Sequence, residues 1–370
     1  MDFFSYFIYL GLLFSVIGLL YFANRKDFYA EIDFSTTKFS KITFYHFLAL
    51  IIISVIVGYR YNVGTDWDAY RLYFIHRDFE TGKGELAYRM INQFIYWLNG
   101  RYTHVFFIIA FLSWYFIFKS VPRKILPLSI FFLFCDEWFF FSNNLVRQFV
   151  ALGIFLYSIK FLANKNVKQF IIWVIIAGYF HMTAWLMIPI FLIPWQKLYN
   201  RRIWIVIYFI SFFLGQNGTI INFLPRLFER FTQRVPVFNI YVNYFYSKFY
   251  ETEVISANNL GVIFKALIGF YIIYFSKNVI NRYPQSKLYF SLFFVGMIIT
   301  NIFIGIPIVS RFAYYFIFVR PFLLALIVYY SFNFTKTKFP KYLSIGVILL
   351  YFILYLYLIS IHPYNIKFIN

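Results

Sequence analysis

The residues of this chain best suited to chemistry fall in four short stretches. The first, Arg60-Tyr61-Asn62-Val63-Gly64-Thr65-Asp66-Trp67-Asp68-Ala69-Tyr70, gathers a guanidinium, two carboxylates and two phenols within eleven residues. Carboxylates and aromatic faces bind sugar hydroxyls, and a carboxylate can take the proton of an attacking hydroxyl. Gly64 permits a turn, and the ordinary role of Thr65 or Asp66 is to cap the helix that follows. The second stretch, Asn143-Asn144-Leu145-Val146-Arg147-Gln148, opens a helix. A helix N-terminus is already partly positive, so an arginine there is unfavourable unless an anion is expected. Helix N-terminus and guanidinium together make a phosphate site; the competing reading is an arginine that snorkels to the interface. The third, Phe180-His181-Met182-Thr183-Ala184, offers a histidine for proton transfer or phosphate contact, or for a structural hydrogen bond. The fourth, Ser310-Arg311-Phe312-Ala313-Tyr314-Tyr315-Phe316, repeats the logic of Arg147 at the start of another helix. Deeper along it, Arg320 needs a partner or a polar cavity, and Asp136 and Glu137 are candidates.

The elements that carry these stretches are membrane helices. The 370 residues are 62% hydrophobic, against about 45–50% in soluble domains, and the mean hydropathy is +0.69. Aromatic residues reach 26%, with 55 Phe and 34 Tyr, as suits lipid-facing helices and interfacial belts. A span needs about 20 apolar residues, fewer where it is broken or re-entrant. Twelve segments are expected: Phe3–Phe22, Ile42–Tyr59, Thr103–Phe118, Ile125–Phe141, Leu145–Leu162, Gln169–Phe180, Thr183–Trp195, Ile203–Leu214, Leu260–Phe275, Leu288–Ile306, Phe312–Tyr330 and Tyr342–Ile359. The first is too long for a signal-peptide core and lacks a basic leader, so it reads as a retained helix.

Charge orients them. The net charge is +20, which in a soluble protein would suggest nucleic acid. Here nineteen of the 34 Lys and Arg residues lie in six clusters: Arg25/Lys26/Lys38/Lys41, Lys119/Arg123/Lys124, Lys160/Lys165/Lys168, Lys197/Arg201/Arg202, Lys277/Arg282/Lys287 and Lys336/Lys338/Lys341. These alternate with the apolar segments, and short cytoplasmic loops are enriched in such residues. Placing every cluster inside puts both termini outside, excludes a nucleic-acid role, and sends Arg60, Asp66, Asp68, Arg147, His181 and Arg311 to one outer face. Of the 14 acidic residues only Asp27, Glu31 and Asp33 then fall inside. The alternation requires Gln169–Trp195 to be split at Gly178–His181, as a helical hairpin or re-entrant pair. Such non-helical backbone is tolerated at depth only when buried in protein or lining a cavity.

Two outer loops are long, about 60–102 and 215–259. The first contains Leu86, Met90, Ile91, Phe94, Ile95 and Leu98 at helical spacing, the pattern of an amphipathic helix lying on the membrane. The second reads as interfacial helices as well. There is no internal repeat or soluble domain, so residues 1–370 read as one integral membrane domain. Cys135 is the single cysteine, which rules out an internal disulfide. No metal-site motif is visible.

At these residues the chain resembles the EpsG-like and Wzy-type polysaccharide polymerases of bacterial membranes. The resemblance is carried by the early arginine with G-T-D-x-D-x-Y, by N-x-x-R-Q, by F-H-x-T-A and by the late S-R-F-x-Y-Y, from Arg60 to Tyr315. It implies an all-α, GT-C-type glycosyltransferase of the bacterial cytoplasmic membrane, working on its outer side. The implied reaction moves a glycan chain from undecaprenyl diphosphate to the sugar of another lipid-linked repeat unit. Arg147 and Arg311 would hold the donor diphosphate, with Arg60 as a third cation, and Asp66, Asp68 or His181 would activate the acceptor hydroxyl. Tyr70, Gln148 and Tyr315 would contact glycan or support the site. No cofactor and no metal are implied, since arginines carry the leaving-group charge. The implied partners are the lipid-linked donor and acceptor, membrane lipid, a chain-length regulator and a flippase, for products such as lipopolysaccharide O-antigen or capsule.

Three other readings compete. A lipid-linked sugar flippase needs polar groups reachable from both sides, usually with internal repeats. An O-acyltransferase would need a reactive group on the inner side. A GT-C-type transferase adding a single sugar fits Asp66 and Asp68 equally well, and only product length separates it from a polymerase.

Overall fold

The computed structural model describes residues 3–25, 32, 42–195, 197, 199–216, 260–303 and 307–365. Most of the second outer loop, 217–259, and Lys26, Lys38 and Lys41 of the first basic cluster lie outside the described residues. Among the described residues every regular element is helical. They form two compact units, residues 1–193 with 324–370, and residues 194–323.

The first unit begins with α1 (Phe3–Ala23) and α2 (Phe44–Gly58). α1 is apolar all round, as a span must be: Leu13, Val16 and Leu20 are buried while Phe3, Phe7 and Phe14 face outward. Between α2 and α5 (Tyr102–Ser120) stand α3 (Trp67–Ile75) and α4 (Leu86–Trp97). α3, the 3-10 turn Asp78–Thr81 and α4 close around Phe79, which meets the rings of Tyr73, Phe74 and Tyr96. α4 is amphipathic as expected: Tyr88, Asn92 and Ile95 are buried, and Leu86, Met90, Phe94 and Trp97 are exposed.

The expected span Ile125–Phe141 is not continuous. It is α6 (Leu126–Cys135) followed by α7 (Trp138–Asn144), with a 63° bend between them. Asp136 ends α6 by taking an extended conformation, and its side chain is buried in the kink. α8 (Val146–Ala163) then runs through the middle of the unit with most of its residues buried. A Cβ on Gly153 would come within 2.9 Å of the Ser113 carbonyl, so only glycine lets α8 approach α5 this closely.

α9 (Val167–Phe180) stops at His181, and Met182–Leu192 continues as a 3-10 helix. The chain reverses there: Trp185 Nε1 donates to the Ile175 carbonyl at 3.3 Å, and the Trp185 ring packs on Tyr179. The break at Gly178–His181 is thus present. Fourteen residues of α9 reach about 21 Å, and eleven residues of 3-10 helix about 22 Å. Each arm is shorter than the roughly 30 Å core of a bilayer.

α15 (Phe339–Ile361) closes the unit, and its tail returns to the start of the chain. Tyr364 N donates to Ser5 Oγ at 2.7 Å, Tyr364 OH to the Ile56 carbonyl at 3.0 Å, and Tyr61 N to the Asn365 carbonyl at 2.8 Å. The start of α1, the end of α2 and the end of α15 therefore share one end of the unit.

The second unit holds α10 (Arg201–Gln216), α11 (Leu260–Arg282), α12 (Lys287–Ile302) and α13 (Pro307–Ile317). Trp204 stacks on Phe294 with centroids 4.1 Å apart, and Tyr208 OH donates to the Ala266 carbonyl at 2.7 Å. The expected span Phe312–Tyr330 lies within one 26-residue stretch, Val309–Phe334, that is long and apolar enough to cross a membrane, in which α13 and α14 (Arg320–Phe334) meet at turn residues. Pro321 supplies a reason: it lacks an N–H and restricts the residue before it. The division between the units falls within α14. Among the described residues six helices are long and apolar enough to cross a membrane, or seven if the bent pair α6–α7 counts as one span.

Candidate functional site

The first two sequence stretches meet in the first unit. The loop after α2 turns at Asn62 and Gly64, both with positive φ. A Cβ on Gly64 would lie 2.4 Å from Asn144 Oδ1 and 2.9 Å from the Asn143 carbonyl, so the loop is pressed against the end of α7. Thr65 N donates to Asn144 Oδ1 at 2.7 Å. Trp67 is buried, and its Nε1 donates back to the Arg60 carbonyl at 3.1 Å.

Arg60 is the anchor of this junction. It is 2% exposed. Its Nε donates to the Val63 carbonyl at 3.2 Å, its Nη2 to the Asn143 carbonyl at 3.0 Å, and its Nη1 to the Val57 carbonyl. The guanidinium also lies 4.7 Å over the Phe106 ring. Burial pulls its pKa down to about 10, which still leaves a cation at neutral pH. All three nitrogens thus serve carbonyls that hold α2, its loop and α7 together. Beneath Arg60 a cavity of about 10 Å³, lined also by Phe106, Ser113, Trp114 and Ser142, has room for about one water. It is too small for a sugar.

Arg147 stands within the first turn of α8. It pairs with Glu85, and its guanidinium lies 5.7 Å from the Tyr70 ring centroid and 5.8 Å from that of Tyr88. Its Nε is buried and has no hydrogen-bond partner among the described residues; the same holds for Asn143 Oδ1. Tyr70 is the hub of this group, since the charges of Arg147, Asp66 and Glu85 all act on its hydroxyl. Burial raises the pKa of both Tyr70 and Tyr88, so each keeps its proton at neutral pH.

The two carboxylates of the first motif differ. Asp66 precedes α3 but makes no side-chain cap bond; it accepts from Thr65 Oγ1 at 3.3 Å. Its carboxylate is therefore not consumed by the ordinary capping role. Asp68 is exposed and bound to Arg71 at 2.8 Å. Gln148, one residue past Arg147, is buried. His181 sits at the break after α9 with Nδ1 2.6 Å from Thr183 Oγ1, and α4 packs against α9.

The late stretch belongs to the second unit. Arg311 is exposed and Tyr315 is buried. The expectation that Arg311 opens its helix needs correction, because α13 begins at Pro307 and Arg311 lies beyond its first turn. The dipole argument, which fades within one turn, therefore applies to Arg147 and not to Arg311.

Glu85 and Tyr88 were not singled out from the sequence. Their signal was available in Gly84-Glu85-Leu86-Ala87-Tyr88, an acid just ahead of an amphipathic helix. What was missing was the knowledge that α4 folds back onto the start of α8. Among the described residues no group of three or more His, Cys, Asp or Glu is placed to hold a metal.

A family model, that of the EpsG family, matches residues 42–370. The match takes in all four stretches and leaves out α1. Among curated proteins and among solved structures no match is found.

Proposed function

The chain belongs to the EpsG family, and from that premise we propose that it polymerises lipid-linked oligosaccharide repeat units on the outer face of the bacterial cytoplasmic membrane. A glycan chain passes from undecaprenyl diphosphate to the non-reducing-end sugar of another lipid-linked repeat. The observation that carries this reading is Arg147: a partly buried guanidinium at a helix N-terminus, with an unspent donor, beside two protonated phenols, one of which, Tyr70, also feels the charge of Asp66, a carboxylate free of capping duty. Such a group stabilises charge that develops on a departing diphosphate without a metal. Asp66 is the acceptor's base in this scheme: it removes the hydroxyl proton while the oxygen bonds to the anomeric carbon and the diphosphate leaves with the electron pair. His181 and Asp68 are the other bases compatible with the motifs; a diphosphate role for Arg311, which lies in the second unit, rests on the resemblance alone. Arg60 acts by positioning the loop. Tyr70 and Gln148 contact glycan or support the site; the same role for Tyr315, in the second unit, rests on the resemblance alone.

The proposed architecture is GT-C-type with twelve membrane segments and both termini outside. Donor, acceptor, lipid, a chain-length regulator and a flippase are its partners. Cells lacking the gene should keep single-repeat material and lose long glycan chains. Loss of the single repeat as well, or unchanged long chains, would count against a polymerase; addition of one sugar only would favour the single-sugar transferase.

Topology has its own test. Cysteines introduced at Lys83 and Lys168, both exposed, can be labelled in spheroplasts with an impermeant reagent; native Cys135 is buried and gives little background. Lys83→Cys is expected to react and Lys168→Cys to stay unlabelled until the membrane is opened. The reverse pattern would invert the orientation.

A further inference from the structure

Glu85 is not used by the scheme above, yet its carboxylate is the one that meets Arg147. It stands at the N-cap of α4 and makes no side-chain cap bond there. The side chain instead reaches Arg147 Nη1, with 18% of it exposed against 31% for the arginine. The pair is flanked by Tyr70 and Tyr88. A carboxylate oxygen on a guanidinium occupies the place that a phosphate oxygen would take. Glu85 therefore sits in the anion seat of Arg147.

We propose that Glu85 is a resident counter-ion: it holds the Arg147 guanidinium while the seat is empty, yields to the donor diphosphate, and speeds departure of the diphosphate product. This inference rests on the diphosphate-donor reading. It follows from charge. The donor is a diphosphate esterified at both ends. On transfer its bond to the anomeric carbon breaks, the electron pair stays on the diphosphate oxygen, and the acceptor's proton goes to the base. The freed lipid diphosphate gains a terminal phosphate whose further ionisation, as for other phosphate monoesters, has a pKa of about 6. The product is thus more negative than the substrate and is gripped harder by the same guanidinium. A nearby carboxylate repels the product more than the substrate and competes for the seat as the product leaves. Product release limits turnover in many enzymes, so Glu85 is placed as a positioning residue that sets how long the product stays.

The test uses purified full-length protein in lipid nanodiscs, with inorganic pyrophosphate as the probe and calorimetry as the readout, beside steady-state turnover of lipid-linked repeats. Glu85→Gln removes the competing charge and keeps the shape. It is expected to bind pyrophosphate about tenfold more tightly, the scale of one charged hydrogen bond, with KM and kcat both lowered as product lingers. Glu85→Asp, shorter by one methylene, should fall between wild type and Glu85→Gln, and it carries the test if the glutamine variant does not assemble. Arg147→Ala should not bind the probe. If Arg147→Ala loses binding while neither Glu85 variant binds more tightly, the role given to Glu85 is overturned and the diphosphate site stands. If wild type and Arg147→Ala bind pyrophosphate alike, the diphosphate site itself falls, and this inference with it.

Discussion

Arg147→Ala is expected to abolish visible polymer while the protein remains in the membrane at its normal level. The guanidinium lies within the first turn of α8 and has a donor, Nε, with no partner among the described residues. Loss of one donor to a developing anion costs on the order of 3–4 kcal/mol, or about a hundred- to a thousand-fold in rate. Arg147→Lys keeps the charge and loses the planar, bidentate match to phosphate oxygens, so it should restore only part of the activity. The thermal midpoint of the purified protein should move little, since the Arg147–Glu85 pair is partly solvated and such pairs contribute modestly to stability. Normal polymer from Arg147→Ala at native expression would place the diphosphate elsewhere.

Arg60→Ala should fail differently. It strips the donors from three carbonyls, those of Val57, Val63 and Asn143, and removes the cation over Phe106. Each buried acceptor left unsatisfied costs about 1–3 kcal/mol, and the losses fall at the joint that holds the Gly64 turn against α7. The expected result is a clearly lower thermal midpoint in detergent together with lost polymer. Arg60→Lys should recover little, because one ammonium cannot serve three carbonyls in different directions. A stable but inactive Arg60→Ala protein would instead make Arg60 a direct phosphate ligand, the role that the resemblance implied for it.

This contrast between two arginines marks how far the sequence could be read. Arg60 and Arg147 look alike as letters: each is a cation at the outer end of an apolar segment. Only the packing separates them, because Asn143 and Val63 turn their carbonyls toward one and leave an open donor on the other. The helices themselves were legible, since runs such as Phe3–Ala23 and Phe339–Ile361 are apolar throughout. The break at His181 was legible from the alternation of basic clusters, although the 3-10 geometry of Met182–Leu192 was not. The bend at Asp136 was missed because hydropathy averages over one charged residue, whereas Phe312–Tyr330 falls inside a stretch, Val309–Phe334, that still counts as one span. Glu85 was missed because hydrophobic periodicity describes the face of α4 and says nothing of where its N-terminus docks.

The most direct test of the central claim is the length of the product made by purified protein in lipid nanodiscs from a single lipid-linked repeat unit. The expected product is a ladder of lipid-linked oligomers spaced by one repeat, with free undecaprenyl diphosphate released at each step and both absent with Arg147→Ala. A product lengthened by one sugar only, or oligomers formed undiminished by Arg147→Ala, would contradict the central claim.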